Sequence, residues 1–139
     1  PKDFNLFLEV RHEEWFANAA DRKTLFSMLA DLNVGAAITD ASGRRDCVHM
    51  ELPTPKAFIR FVGNGGKLLE SSDMKRVDEW VERLADWLDK GLEEVYFFLH
   101  QHDEADTPLI ADYTIEEFNR HLGSDLDRIK FINSDNLLF

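Results

Sequence analysis

Glu9, Arg11, Arg60 and His100 are the residues of this chain best placed by type and spacing to do chemistry. Glu9 and Arg11 lie two apart, so on an extended strand both project from the same face. An arginine fork grips carboxylate or phosphate with two parallel hydrogen bonds, and a carboxylate beside it acts as a base or as the ion that holds the fork in position. Charges of this kind cost several kcal/mol each to bury unless they are paired. Brought together, they form either a salt-bridge network or a ligand site. Glu9, Arg60 and His100 are the candidate catalytic groups, and Arg11, Asp40 and Asn64 the candidate ligand-binding ones.

Other patterns carry weaker chemistry. His100-x-His102-Asp103 has the alternate-residue spacing and the imidazole and carboxylate donors of a zinc or manganese site. No HExxH or paired CxxC accompanies it, so no bound metal or other cofactor is expected. Gly63-Asn64-Gly65-Gly66 has the backbone freedom to wrap a phosphate but lacks the Lys-Ser/Thr ending of a P-loop, and reads as a plain loop. Cys47 has no neighbouring partner and reads as an inert thiol. His12 points away from Arg11, His49 and His121 read as surface or interface histidines, and Trp15 and Phe16 read as packing residues.

The elements that must position these groups follow from periodicity. Over residues 5–11, Leu6, Leu8 and Val10 alternate with Phe7, Glu9 and Arg11, the period of a strand with one aliphatic and one functional face. Asp21 is a candidate N-cap for a helix carrying Leu25, Phe26, Met28, Leu29 and Leu32, which stops at Asn33 and Gly35. Residues 34–39 and 57–62 are short apolar runs of strand length, separated by Ser42-Gly43 and Pro53-Thr54-Pro55. Ser72 or Asp73 can cap a helix with Val77, Trp80, Val81, Leu84, Trp87 and Leu88 on one stripe, ended by Gly91. Residues 94–99 are nearly all apolar, the pattern of a parallel strand covered on both faces. A helix over 114–122, starting as early as Pro108, and a last short strand over 129–132 complete the reading. Strands alternating with helices at this spacing imply right-handed βαβ crossovers in a parallel sheet.

Three motifs carry a resemblance. Glu9-Val10-Arg11-His12-Glu13-Glu14-Trp15-Phe16, then Phe58-Ile59-Arg60-Phe61-Val62-Gly63, then Val95-Tyr96-Phe97-Phe98-Leu99-His100-Gln101 followed by Pro108, stand in the order found in the YecE-like family of uncharacterised TIM-barrel proteins, also called domain of unknown function 72. The chain departs at the late strand, where His100-Gln101 replaces the Asn pair frequent in that family. The resemblance implies the C-terminal half of a (β/α)8 barrel, about four parallel βα units, in place of a small open α/β sheet. A full barrel needs about 250 residues, so residues 1–139 read as a single unit excerpted from a longer barrel domain.

Composition sets the remaining limits. Sixteen basic against 27 acidic side chains give a net charge of −11, and the basic residues gather into no stripe, which argues against a phosphate-backbone grip and hence against nucleic acid. The 44% hydrophobic content, with eleven Phe and three Trp, supports a packed core. A single Cys, no secretory leader and no apolar run near the ~18 residues of a membrane span point to a soluble cytoplasmic protein with no membrane partner. The function expected is binding of a small anionic molecule at the strand C-termini, with a hydrolase- or isomerase-like enzyme as one form of it. The competing reading is a non-catalytic interaction module that docks a partner through its sheet edge or through Leu137-Leu138-Phe139. A half barrel also predicts self-association, or pairing with a missing N-terminal half.

Overall fold

Alternation along the strands is what shapes this molecule. In the computed structural model, which describes residues 4–43 and 47–131, four strands lie parallel in the order β1-β2-β3-β4: β1 (Phe7–Leu8), β2 (Gly35–Ala41), β3 (Lys56–Gly63) and β4 (Glu94–Gln101). Ala57, Ile59 and Phe61 of β3 and Ile38 of β2 face the helices and are fully buried. Phe58, Arg60, Tyr96 and Phe98 face the other way, and Phe98 is 50% exposed. All three long helices, α2 (Ala19–Asp31), α3 (Met74–Asp89) and α4 (Thr107–His121), follow strands and cover the buried side. Among the described residues no helix lies over the opposite face. A freestanding open sheet of the doubly wound type would have helices on both faces; this is the wall of half a barrel.

The main core sits between β2, β3, β4 and the stripe Val77, Trp80, Val81 and Leu84 of α3, with Ile110 and Phe118 of α4. Each such side chain contributes roughly 1.5–3 kcal/mol when fully buried. A second, smaller core joins Leu25, Phe26 and Leu29 of α2 to Ala36. Gly35 is required where it stands, because a Cβ there would collide with the ring of Phe7, its register partner on β1.

Several expectations are refined. The β1 ladder runs only from Phe7 to Leu8, although the alternation persists through Arg11. The Ala37 carbonyl, the next acceptor on that edge of β2, is taken by His49 Nε2 at 3.1 Å. His49 is accordingly buried, 4% exposed, between Phe16 and Phe26, and is not a surface histidine. Asn18, not Asp21, caps α2, its Oδ1 accepting from Ala20 N at 2.8 Å. The helix after β3 starts at Met74, behind a π-turn (Leu69–Asp73), and neither Ser72 nor Asp73 caps it through its side chain. Helix α4 starts at Thr107, with Pro108 in its first turn.

No strand forms over residues 129–131: Asp112 of α4 accepts from Ile129 N and pairs with Arg128, which pins the segment alongside the helix. Ile132 lies outside the described residues, as do Leu137, Leu138 and Phe139. Trp15, in the short α1 (Glu14–Ala17), is exposed while Phe16 packs inward. The apolar run of β4 is covered on its helix side only, because nothing in the described residues stands opposite its bare face.

Candidate functional site

Parallel strands deliver their C-terminal ends to one rim, and the register decides which side chains meet there. Thr39 of β2 lies beside Arg60 of β3, and Val62 beside His100 of β4. Glu9, the residue after the last paired residue of β1, reaches the same place. Its Oε1 accepts from Arg60 Nη1 at 2.5 Å and from Thr39 Oγ1 at 2.6 Å, while Oε2 accepts from Arg11 Nη2 at 3.0 Å. One carboxylate is held by two guanidinium groups and a hydroxyl.

These groups line a cavity of about 230 Å3 together with Cys47, Val62 and His100. Burial pushes the Glu9 carboxyl up, but the hydrogen bonds from Arg11 and Thr39 and the charge and hydrogen bond of Arg60 outweigh it, leaving the carboxyl below its usual range. Glu9 in turn raises the Arg11 guanidinium. An acid so stabilised as the anion is a poor proton donor at neutral pH and serves better as an anchor for the arginines. Among the described residues Arg60 has no partner other than Glu9, which it meets through Nη1, and it lines the cavity. Among the described residues the lining carries one carboxylate against two guanidinium groups, a local excess of positive charge on a chain of net charge −11. His100, half-exposed, supplies an imidazole whose Nδ1 stands 3.5 Å from Glu104.

Of the six candidate site residues, Glu9, Arg11, Arg60 and His100 converge and two do not. Asp40 follows Thr39 and so points to the helix side, 2% exposed, where Oδ1 pairs with Arg76 and Oδ2 accepts from Trp80 Nε1, each at 2.9 Å. Asn64 turns toward Asp73: its backbone N–H and side-chain amide donate to that carboxylate at 2.8 and 2.9 Å, and Gly65 N donates to it at 2.8 Å. Gly66 N donates to Asp106. The loop amides that a phosphate would need are thus already committed to two carboxylates of the chain itself.

Around His100-x-His102-Asp103, His102 is exposed and the Asp103 carboxylate accepts from Ala105 N at the start of the next turn. Among the described residues no three His, Cys, Asp or Glu side chains converge as metal ligands. Thr39 and Cys47 are site residues that sequence reading missed. Thr39 was findable from strand alternation, since it shares the inner phase with Gly35. Cys47 was not, because its place, with Sγ donating to the Arg11 carbonyl at 3.3 Å, depends on how the segment after β2 folds back.

A parallel βα half-barrel with a charged strand-end cavity is the class of protein that this fold and site define. The chain belongs to the family described as protein of unknown function DUF72, whose model matches residues 1–129. UPF0759 protein YecE of Escherichia coli K12 is 27% identical over 140 residues, covering 88% of this chain and 50% of that protein, and the same figures hold for UPF0759 protein YecE of E. coli O157:H7. A crystal structure of a DUF72 family protein from Enterococcus faecalis V583 superposes with a TM-score of 0.65 at 12% identity, over 95% of this chain and 53% of that one, and fits a partial TIM-like fold. The chain spans about half the length of the curated relatives it matches. Among the described residues no helix is long and apolar enough to cross a membrane.

Proposed function

We propose that the strand-end cavity binds a small anion, a carboxylate or phosphate, with Arg60 as the principal donor, Arg11 beside it and Glu9 holding both in place. The observation that carries this reading is the Glu9 cluster itself: two guanidinium groups share one carboxylate on the wall of a cavity, and Arg60 has no other partner among the described residues. A purely structural ion pair closes on itself; this one leaves positive charge over. His100 lines the same cavity, where an imidazole can donate to a bound oxyanion or exchange a proton with it. Catalysis of the hydrolase or isomerase type would use that imidazole rather than Glu9, whose proton affinity is too low for the acid role. The rival reading, a non-catalytic interaction module, has a bare sheet face in its favour but does not account for charges collected on that face.

Calorimetric titration of the chain with inorganic phosphate and with malonate tests the reading. Arg60→Leu should weaken binding at least tenfold, the loss of one charged hydrogen bond of about 1.5–3 kcal/mol, while the fold survives because Glu9 keeps Arg11 and Thr39. Glu9→Gln should tighten binding, because it removes the negative charge that opposes the anion while its amide oxygen can still accept from the guanidinium groups. Binding of neither anion to the wild type, or equal binding by Arg60→Leu, overturns the reading.

A further inference from the structure

Register sorts the wall of the cavity into layers of different chemistry. Thr39 and Arg60 stand side by side, and both reach the Glu9 carboxylate. Two residues further along the same strands, one layer nearer the rim, come Ala41 and Val62, with His100 beside them on β4. Of these three, His100 alone is polar. Asp40, which stands between Thr39 and Ala41 in sequence, is turned to the helix side and adds nothing here. Cys47, folded back after β2, lines the same cavity. Beneath the charged layer the same face carries Ala37, Phe58 and Tyr96, none of which lines the cavity. The cavity of about 230 Å3 therefore runs from the ions toward the rim past small apolar side chains, not down into the aromatic layer.

We infer that the ligand is a small anion with a short aliphatic body, an alkyl carboxylate or an alkyl phosphate ester. Its anionic head meets Arg60 and Arg11, and its hydrocarbon lies against Ala41, Val62 and Cys47. This rests on the anion-binding reading and adds the part of the ligand that the reading leaves open. A sugar or polyol body would bring hydroxyl groups against Ala41 and Val62 without partners, which costs free energy that a hydrocarbon body avoids. A hydrocarbon there displaces water from carbon and gains by it. The Val62 backbone is already engaged, its carbonyl accepting from Ser42 N and Arg76 Nη1, so only its side chain is left to meet a ligand. These residues belong to the wall that this chain itself builds, and the inference holds whatever stands opposite.

Calorimetric titration of the protein at its natural length with acetate, butyrate, inorganic phosphate, monobutyl phosphate and butanol tests the inference. Each buried methylene group is worth about fourfold in affinity. Butyrate should bind on the order of tenfold more tightly than acetate, and monobutyl phosphate than phosphate, and the tighter of the two long anions names the head group. Val62→Thr, which keeps the shape and puts a hydroxyl in place of a methyl group, should cut the butyrate-to-acetate ratio severalfold, and Ala41→Ser should act in the same direction. Equal binding of short and long anions overturns the inference and leaves the anion reading standing. Butanol bound as tightly as butyrate overturns both, because the head then contributes nothing, and so does a failure of every probe to bind. A ratio unchanged in both folded variants overturns the inference as well, since the hydrocarbon then lies elsewhere. Should one variant fail to fold, the other decides.

Discussion

At the scale of single residues, the contrast between Glu9 and His49 shows how position outweighs residue type. Glu9 was legible as a rim residue because strand alternation puts it on the face of Arg60. His49 had no such signal, since its burial depends on a segment folding back to place an imidazole against the Ala37 carbonyl and two phenyl rings. Burial holds the His49 imidazole below its ordinary value near 6.5, more than the hydrogen bond to Ala37 offsets, with Arg22 pushing the same way and Glu51 against. The sign follows by linkage: the unfolded chain takes up this proton first, so His49 favours folding above its unfolded value and that contribution is lost as pH falls through 6.5 toward the lower folded value. Urea midpoints at pH 7.5 and 5.5 should therefore differ in the wild type. His49→Phe should reduce that difference while lowering stability at pH 7.5 by about 1 kcal/mol, the worth of one hydrogen bond. An unchanged pH dependence in the variant would mean that His49 does not carry it.

At the scale of elements, the rim is held in shape from behind by α3. Arg76 donates to the Asp40 and Val62 carbonyls, at 2.9 and 3.2 Å, and pairs with the Asp40 and Asp73 carboxylates, tying the ends of β2 and β3 to the start of the helix. Its guanidinium also lies over the Phe61 ring, 4.3 Å from the centroid. Arg76→Met withdraws the cation shared by two buried carboxylates, which typically costs about 3–5 kcal/mol. The urea midpoint should fall accordingly with an unchanged m-value, and a loss below about 1 kcal/mol would show that the strand ends do not depend on this tie. The helix itself was readable from Val77, Trp80, Val81 and Leu84. Its ties were not, because Asp40 read as a rim residue until the register showed that alternation turns it to the helix side, and Asn64 until Asp73 claimed its amides. The short β1 ladder and the missing last strand have the same cause: side chains distant in sequence, His49 and Asp112, take the backbone groups that a strand would have used.

At the scale of the whole molecule, a strongly acidic chain brings two guanidinium groups and one carboxylate, among the described residues, to one rim of an open parallel wall. Net charge opposes anion binding over most of the surface, so an anion that binds at all is expected where two guanidinium groups outnumber one carboxylate. That local inversion of charge is the central claim, and the Arg60 guanidinium reports on it directly. In a nitrogen-15 correlation spectrum of the Arg60 Nε–H, titrated with inorganic phosphate against sodium chloride of equal ionic strength, the resonance is predicted to shift saturably with phosphate and to stay still with chloride. The Nε–H of Arg128, already bound to Asp112, should move with neither salt. An Arg60 signal that responds alike to both salts would contradict the account.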